Sequence, residues 1–544
     1  MSENVKNENK KHKTFISAFV ISFGVLLSRF SGLIRDIFFA KYLGTGIVAE
    51  AFYVAFRLPN TFRRIFAEGA LSNAFVPFFS SRVIDDKKQA NKFSGKILII
   101  LFSTLILLTI LMEIFMPQII RLINPGFIKD AEKYNLAVQF SRISFPYIIL
   151  ISITSFFGSI LNSIGSFWQF ASISLVLNFG LIFGLFISGL LSTNIGYCLS
   201  WMMIISGILQ LFLLAYSCIK RAVFPNIRVL KKENNKNKTK EQIDMEMKEE
   251  KFEIKQFLKK LCPAIISSGI LQINIFIDGI FASFFAGAVS YLYYTDRIGQ
   301  FPLSIIGYSL SVAILPSLSI AFKNENKQEI SILQRQSFNI AMFFSIPAML
   351  LIFTTAQQII YTIYERGAFT SNDTEIVGKM LSIYAISIPF NVLLKIFFSC
   401  FYAQKDTKTP MRISTFALLF NIIFNLLFMK IAGMYCVVMA TTMSAVLSCC
   451  LAIYMLQRKG FLFIDIFNIK YALQITAVSL ISCVLCPVVF STKYHLFWIL
   501  NTGCFLHITF LFVFRVFTKE LIFSILKQYW KMKREKSKQN NSYK

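Results

Sequence analysis

The sequence contains little charge and few of the side chains that most enzymes use for chemistry. Only 15% of its 544 residues are charged, and only three are histidines. Because imidazole is a frequent general base and metal ligand, this shortage argues against a metal centre or a histidine-based catalytic site. The ten cysteines are scattered without the spacing of secreted disulfide-rich domains, and no GxxxxGK(S/T) phosphate loop occurs. Nothing in these features indicates an enzyme.

Apolar residues, by contrast, are abundant. They make up 55% of the chain, and the mean hydropathy is +0.61. A helix that crosses a bilayer needs ~20 mostly apolar residues, and about fourteen such runs occur here. We therefore predict an all-α polytopic membrane protein with about fourteen transmembrane helices. The predicted spans are 14–40, 49–80, 95–118, 134–163, 168–190, 195–218, 256–286, 290–321, 335–362, 375–403, 411–430, 433–457, 468–491 and 495–517.

The net charge of +28 is distributed as in membrane proteins rather than in nucleic-acid-binding proteins. With the N-terminus inside, roughly forty Lys and Arg fall in tails and inward loops, and about eight in outward loops. This bias predicts that both termini are cytoplasmic, that membrane lipids are partners and that nucleic acid is not. The first apolar run lacks a small-residue cleavage site, so we interpret it as a retained helix.

The two halves of the chain resemble each other at a separation of about 240 residues. ALSNAFVP (70–77) matches SLSVAILP (309–316), and FFGSILNSIGSFWQFASISLVLN (156–178) matches FFSCFYAQKDTKTPMRISTFALLFN (397–421). Six spans per repeat predict two parallel six-helix lobes plus two C-terminal helices, an organisation typical of transporters. The predicted divisions are a cytoplasmic tail (1–13), an N-lobe with spans 1–6 (14–218), an interlobe linker (219–255), a C-lobe with spans 7–12 (256–457), spans 13 and 14 (458–517) and a basic cytoplasmic tail (518–544).

Charged side chains are concentrated in the first two predicted spans. Nine occur between Ser28 and Pro77, and five of them are arginines. An arginine near the bilayer centre costs at least ~2.5 kcal/mol, so such faces are expected to line a wet cavity or meet an anion. Guanidinium groups pair bidentately with phosphate, which favours an anionic, phosphorylated substrate. The alternative is snorkelling near helix ends together with structural ion pairs. The candidate substrate-binding residues are Arg29, Arg35, Arg57, Arg63, Arg64 and Arg297.

Acidic and amide side chains form two further predicted groups. Four acidic residues lie near these arginines in sequence and are candidates for gating ion pairs: Asp36, Glu50, Glu68 and Asp296. Asp278 is a single acid in an apolar helix, and Asn421, Asn425 and Thr441 supply neutral oxygens in spans 11 and 12. Together they could hold a small monovalent cation, although asparagines in membrane helices more often serve packing, so packing and protonation are the favoured explanation.

Three segments resemble the MurJ/MviN family of lipid II flippases: SRFSGLIRD, AFYVAFRLPNTFRRIFAEGALSNAFVP and YLYYTDR. The resemblance implies the fourteen-helix fold of the multidrug/oligosaccharidyl-lipid/polysaccharide (MOP) exporter superfamily and a location in the bacterial cytoplasmic (inner) membrane. It implies lipid II, an undecaprenyl-diphosphate-linked disaccharide-pentapeptide, as substrate. It also implies that the substrate arginines are Arg29, Arg35, Arg63 and Arg297.

The same resemblance bears on the acidic residues and on coupling. Glu50 stands where the family usually has an aspartate, and Gln300 replaces an acid. Some relatives resemble a sodium-coupled carrier, which implies a tentative Na⁺ site and no other cofactor. Because Asn425 replaces an expected aspartate there, the membrane potential or protons are the alternative driving force. The implied Na⁺ residues are Asp278, Asn421, Asn425, Val437 and Thr441.

Two other functions stay open at the level of sequence. One is a cation-coupled exporter of drugs or polysaccharide intermediates with the same fold. The other is a non-transporting scaffold with cell-wall synthesis proteins as partners, in which the arginines would be structural. A scaffold should tolerate arginine-to-lysine changes, whereas phosphate recognition should not.

Overall fold

Helices form every regular element of the part of the chain that the structure describes. The computed structural model describes residues 24, 27–64, 75, 76, 79, 80, 82, 83, 86–166, 168–226, 259, 261 and 272–489. Glu68, the predicted span 14, both predicted tails and most of the predicted linker lie outside these residues.

The helices follow one another with short connections. In chain order they are α1 (27–42), α2 (Ile47–Arg63), α3 (Lys87–Ile114), α4 (Met116–Ile123), α5 (Ala131–Ser144), α6 (Tyr147–Ser163), α7 (Trp168–Leu191), α8 (Ile195–Lys220), α9 (Gln272–Ala282), α10 (Ala288–Pro302), α11 (Ser309–Lys323), α12 (Lys327–Tyr364), α13 (Ser371–Ala385), α14 (Ser387–Ala403), α15 (Lys408–Ala432), α16 (Tyr435–Arg458) and α17 (Ile466–Val489). A 3₁₀ turn (Pro125–Lys129) precedes α5, and a π-helical segment (Leu303–Tyr308) joins α10 to α11.

Among the described residues, eight helical stretches are long and apolar enough to cross a membrane, or nine if a bent pair is counted as one span. In order, the eight correspond to predicted spans 3–6, 8, 9, 11 and 12, and the bent pair corresponds to span 10. The all-helical polytopic architecture is therefore confirmed. The total of fourteen spans stays a prediction.

Spans 4 and 10 are each interrupted near a proline. α5 ends at Ser144, just before Pro146, and the bend of 40° between α13 and α14 lies just before Pro389. Proline has no N–H to donate to the carbonyl four residues earlier and its ring clashes with that carbonyl, so the helix breaks. The sequences at the two breaks, ISFPY and ISIPF, share their first, second and fourth residues, which extends the internal repeat to a structural feature.

Short polar caps fix where several helices begin. The Asp86 side chain accepts hydrogen bonds from the backbone N–H groups of Lys88 and Gln89 at the start of α3. Asp130 caps α5 in the same way through the N–H of Lys133. These caps satisfy backbone donors that have no partner within the helix, which stabilises the helix start by about 1 kcal/mol each.

The chain divides into two compact units. The first comprises Met1–Tyr294, Tyr364–Thr374 and Met429–Val437, and the second comprises Thr295–Ile363, Glu375–Phe428 and Val438–Lys544. The lobes predicted from the repeat stay a prediction, since most of the linker between them lies outside the described residues.

Four turns of the first unit follow predicted spans 1, 3, 7 and 9, so the predicted topology places all of them on the outward side. Hydrogen bonds join them in pairs: the N–H of Ala368 donates to the carbonyl of Lys41, just before the turn 43–46, at 2.8 Å, and the N–H of Gly126 donates to Ser283 Oγ at 3.0 Å. A Cβ at Gly126 would lie 2.1 Å from the Ser283 carbonyl oxygen, so only glycine allows this approach. We call these four turns (43–46, 124–130, 283–287 and 365–370) the outward seal.

Candidate functional site

Arg35 and Asp36 form a buried ion pair in the first unit. Arg35 donates from Nη2 and Nε to Asp36 Oδ1 at 2.7 and 3.0 Å, and the Tyr293 hydroxyl donates to the same oxygen at 2.7 Å. Arg35 Nη1 donates to Asn178 Oδ1 at 2.9 Å. Only 4% of Arg35 and 1% of Asp36 is exposed. In this conformation the Arg35 charge is therefore neutralised inside the protein.

Three helices supply this cluster. The arginine and its carboxylate come from α1, Asn178 comes from α7 and Tyr293 comes from α10. Asn178 Nδ2 donates to Ser31 Oγ at 2.8 Å, which ties α7 to α1. The Tyr293 ring stacks on the Tyr53 ring with centroids 4.0 Å apart, which ties α10 to α2. The ion pair is thus held from both sides by packed aromatic and amide groups.

Glu50 occupies a second buried node. Its Oε2 accepts a hydrogen bond from Lys133 Nζ at 2.5 Å, and its Oε1 accepts one from the backbone N–H of Val289 at 3.1 Å. Only 1% of Glu50 and 7% of Lys133 is exposed. Because Val289 lies in the first turn of α10, the carboxylate also meets the positive end of that helix. One side chain of α2 thereby joins α5 and α10.

A layer of tyrosines lies next to the outward seal. The Tyr53 hydroxyl donates to the Tyr294 hydroxyl at 2.8 Å, and the Tyr294 hydroxyl donates to the Gly44 carbonyl at 3.0 Å. The Tyr294 ring contacts the rings of Tyr364 and Phe369, with centroids 4.8 and 5.2 Å apart. The layer connects α2 and α10 with the turns 43–46 and 365–370.

Asp373 connects the same turns through its carboxylate. Its Oδ1 accepts hydrogen bonds from Thr45 Oγ1 at 2.8 Å and from the Tyr291 hydroxyl at 3.0 Å. Its Oδ2 accepts from the backbone N–H and the hydroxyl of Thr370 at 2.7 and 2.8 Å. Asp373 is 5% exposed, so four donors replace water around a buried charge. This arrangement holds the outward seal together by polar contacts.

The other predicted arginines of the first unit are more accessible than Arg35. Arg29 and Arg64 are exposed, and Arg57 and Arg63 are half-buried. Arg57 Nη1 donates to the Ile275 carbonyl at 3.4 Å, beside a shallow depression between α2, α9 and the turn 124–130. Arg29 lies on α1, Arg57 and Arg63 lie on α2, and Arg64 directly follows α2; each has interactions within the protein. Their contact with a substrate stays a prediction.

In the second unit, Asp296 and Arg297 lie in the middle of α10. Arg297 is exposed and Asp296 is half-buried. The helix starts at Ala288, close to the predicted start of span 8 at residue 290, so the two charges lie more than two turns inside it. A charged pair at that position in an apolar span fits a residue facing a wet surface.

The structure brings together three of the five predicted cation ligands, Asn421, Asn425 and Thr441. Asn425 Nδ2 donates to Asn421 Oδ1 at 3.0 Å, and Asn421 Nδ2 donates to Thr441 Oγ1 at 3.5 Å. Both asparagines are fully buried, and Asn425 Oδ1 has no hydrogen-bond partner. A buried amide oxygen without a donor suits a hard monovalent cation, so the residues fit the predicted ion. Asp278, half-buried on α9, and Val437, buried on α16, belong to the first unit.

Sequence reasoning missed several residues of these networks. Lys133 lies 83 residues from Glu50, and Tyr293 lies 257 residues from Asp36, so no local spacing connects them. Asn178 and Asp373 were missed for the same reason. Composition could have drawn attention to some of them. Lys133 and Asp373 are charged residues directly beside apolar spans, and Tyr293 belongs to the aromatic run YLYY that precedes Asp296.

Comparison with solved structures defines the class of protein. An inward-facing multidrug resistance MATE family transporter of the MOP superfamily superposes with a TM-score of 0.66 at 14% identity, covering 82% of this chain and 98% of that chain. At that identity the likeness shows the fold alone, which is that of a multi-helix membrane transporter. A lipid II flippase MurJ structure in the inward closed conformation superposes with a TM-score of 0.75 at 26% identity, covering 93% of this chain and 99% of that chain.

Sequence comparison defines the family. The family model described as lipid II flippase MurJ matches residues 39–507. A probable lipid II flippase MurJ of Rickettsia prowazekii (strain Madrid E) is 39% identical over 420 residues, which are 76% of this chain and 78% of that protein. A probable lipid II flippase MurJ of Rhizobium tropici is 33% identical over 455 residues, 82% of each. The chain belongs to the lipid II flippase MurJ family and is a multi-pass protein of the inner membrane.

Proposed function

We propose that this chain moves lipid II from the cytoplasmic to the periplasmic leaflet by alternating access. Family membership supports the substrate, and the concentration of five arginines on α1, α2 and the residue after it carries the proposal from this chain's own residues. Helices that expose guanidinium groups within a membrane protein need an anionic partner or water. The diphosphate of lipid II is such a partner, and its oxygens match the guanidinium fork.

Each arginine has a role that follows from its burial. Arg29, Arg57, Arg63 and Arg64, exposed or half-buried in the first unit, bind the diphosphate. Arg297 binds it from the second unit. Arg35 is closed in its network with Asp36, so it reaches substrate only when α1, α7 and α10 separate. The isoprenoid tail stays in lipid throughout, because its burial in hydrocarbon needs no protein contact.

The buried ion pairs act as gating elements. The Glu50–Lys133 and Arg35–Asp36 pairs hold the side of the first unit that carries the outward seal, and release of the headgroup on that side requires them to part. Asp296 and Glu68 serve the opposite phase, in which the inward side closes. A buried pair that is broken without a new partner costs about 3–5 kcal/mol, so the pairs give the carrier two distinct states.

A monovalent cation such as Na⁺, or the membrane potential, drives the return of the empty carrier. Asn421, Asn425 and Thr441, together with Asp278 and Val437, would hold the ion, which would supply a positive charge to the Asp278 carboxylate. The unsatisfied Asn425 oxygen supports this donor set. Lipid II exposure measured at fixed membrane potential in Na⁺ and in choline buffers tests the coupling. Equal rates in the two buffers would leave the potential, worth about 2.3 kcal/mol per charge per 100 mV, or protons as the driving force.

The first experiment measures lipid II at the outer face of cells depleted of their own flippase and supplied with this chain. We expect the intact chain to restore exposure and Arg29→Ala, Arg63→Ala and Arg297→Ala to fail at normal expression. Arg412→Ala is the matched control, because Arg412 is exposed at the start of α15 and outside the proposed site.

Arginine-to-lysine variants separate transport from a scaffold role. A phosphate fork needs the planar guanidinium, so Arg297→Lys should also lose most activity. Tolerance of lysine at every position would make the arginines structural. Failure of the well-expressed intact chain would turn attention to another exported substrate.

The proposal also includes the orientation and the partners. Both termini lie in the cytoplasm, and lipid II and membrane lipids are the ligands of the spans, with cell-wall synthesis proteins as further partners. The distribution of basic residues supports the orientation. Labelling of cysteines placed in either tail, in intact cells and in lysed cells, tests it: labelling only after lysis is expected.

A further inference from the structure

Lys395 is an isolated cation deep in a membrane span of the second unit. It lies in the middle of α14, which runs from Ser387 to Ala403. From Lys395 to the end of that helix the chain rises roughly 12 Å, which places the residue near the centre of a bilayer about 30 Å thick. At that depth the four-carbon stem cannot bring the ammonium to the membrane surface.

The described part of the protein offers Lys395 no compensating charge. No carboxylate oxygen lies within 4 Å of its ammonium there, whereas Lys379 on the preceding helix pairs with Glu375 at 2.6 Å. Lys395 is nevertheless half-buried. Inserting a lysine at this depth of the membrane costs at least ~2.5 kcal/mol of free energy. Without an anionic partner, nothing offsets this insertion cost. Within the described residues its charge is therefore uncompensated, and an anionic ligand would compensate it.

The surrounding backbone makes room for this side chain. A Cβ placed on Gly307 would lie 3.0 Å from Lys395 Cδ, so the lysine stem packs against the span at a position that has no side chain. Gly307 belongs to the π-helical segment Leu303–Tyr308, which follows Pro302. π-Helical segments are rare and occur frequently at functional sites. The hydroxyls of Ser311 and Ser399, hydrogen-bonded at 2.9 Å, hold α11 against α14 one turn beyond the lysine.

Lys395 lies next to the same span that carries Arg297. Gly307 is ten residues beyond Arg297, or roughly 15 Å along that span. By the predicted topology the chain runs inward here, so Lys395 is on the inward side of Arg297. Arg297 on this span and Lys395 on the neighbouring α14, neither of them at a helix end, form a track for an anionic group that moves between the two sides.

We propose that Lys395 binds an anionic oxygen of the lipid II headgroup on the inward side of Arg297. This inference deepens the proposed function and rests on it. The ammonium is a compact point charge, so it accepts either a phosphate oxygen of the diphosphate or a carboxylate of the pentapeptide. Lysine rather than arginine suits a contact that is made and released during movement, because it does not lock a bidentate geometry.

The test compares Lys395→Met, Lys395→Arg and the control Lys379→Met in the full-length purified protein. Binding of lipid II and of undecaprenyl diphosphate is measured at two salt concentrations, together with the melting temperature. We expect Lys395→Met to weaken lipid II binding at least tenfold, as loss of a charge-assisted contact does, and Lys395→Arg to keep most of the affinity. The melting temperature of Lys395→Met should not fall, because an uncompensated charge is removed. Lys379→Met should bind as the intact protein does.

The two lipids identify the group that Lys395 meets. Equal weakening for both lipids assigns the contact to the diphosphate, and weakening for lipid II alone assigns it to the peptide carboxylates. Unchanged binding of lipid II to Lys395→Met, while the intact chain binds and transports it, overturns this inference and leaves the proposed function standing. A lower melting temperature with unchanged affinity would make Lys395 a structural residue. An intact chain that binds neither lipid overturns the proposed function itself.

Discussion

The Glu50–Lys133 pair gives the sharpest quantitative test of the structure. Glu50→Gln removes the negative charge and keeps an oxygen for the Val289 N–H, which donates to Glu50 at 3.1 Å. The change leaves the Lys133 ammonium, 7% exposed, without its anion. Breaking one partner of a buried pair costs about 3–5 kcal/mol, because the remaining charge is desolvated and uncompensated. Lys133→Met should lower the stability by a similar amount, because it leaves the buried Glu50 carboxylate without its cation.

The double variant separates a specific pair from general damage. With both charges removed, no uncompensated charge remains, and an apolar replacement of similar volume is close to neutral. We therefore expect Glu50→Gln/Lys133→Met to be more stable than either single variant, with a coupling free energy of at least ~2 kcal/mol.

The assay is thermal unfolding of the full-length protein in one detergent at one concentration. Each single variant should melt several degrees below the intact protein, and the double variant should recover most of that loss. Strictly additive losses, or single variants that melt like the intact protein, would refute the assignment of a buried, mutually dependent pair. In cells the single variants should also shift the carrier away from the state with a closed outward seal, because they weaken that state alone.

Two further predictions concern the turns and loops. Gly126→Ala should prevent normal folding, because its Cβ would lie 2.1 Å from the Ser283 carbonyl oxygen. The measurement is the yield of folded protein. Gly189→Ala is the control, because no atom lies within 4 Å of a Cβ at that position. Asp406, in the loop after α14, is partly buried, which raises its pKa, but hydrogen bonds from Lys459 and Thr409 outweigh this effect and lower the pKa to about 2. A carboxyl whose pKa is lowered by folding stabilises the fold at pH values above 3.8, the pKa that it has in the unfolded chain. This stabilisation is lost as the pH falls from 3.8 towards 2. The melting temperature of the intact protein should therefore drop across this pH window, and that of Asp406→Asn should drop less. Because Lys459 is partly exposed, the effect should not exceed about 1 kcal/mol, and equal pH dependence in both proteins would exclude the interaction.

Much of the fold could be predicted from hydropathy because the bilayer requires long apolar helices with internally satisfied backbones. Spans 3–6, 8, 9, 11 and 12 therefore appear in the structure close to where the sequence places them. The breaks in spans 4 and 10 were less predictable. Pro146 and Pro389 signal them, but a membrane helix often continues past a proline when neighbouring groups satisfy the freed carbonyl.

The candidate site likewise contains residues that the sequence reveals and residues that only the packing of helices reveals. Residue type and helical spacing single out Arg29, Arg57, Arg63 and Arg64 as candidates, since a charge in an apolar helix is conspicuous within its own segment, and their contact with a substrate stays a prediction. The partners of Glu50 and Asp36 could not be found in this way, because pairing across tens or hundreds of residues depends on how helices pack. Arg35 illustrates the consequence. Its position suggested a substrate contact, and the structure places its guanidinium inside a hydrogen-bonded network.

The backbone contacts of the outward seal bear on how well this carrier insulates the membrane. Gly367 and Gly44 let the turn 365–370 and the turn 43–46 touch main chain to main chain: their Cβ atoms would lie 2.2 Å from the Lys41 carbonyl oxygen and 2.6 Å from the Ala368 carbonyl oxygen. A barrier made of side chains opens for a moment whenever a rotamer changes, within nanoseconds. A barrier made of backbone opens only when whole helices move, thousands of times more slowly. Separating these two turns therefore requires movement of whole helices, so this side of the first unit opens on the timescale of helix motion and not of side-chain rotation.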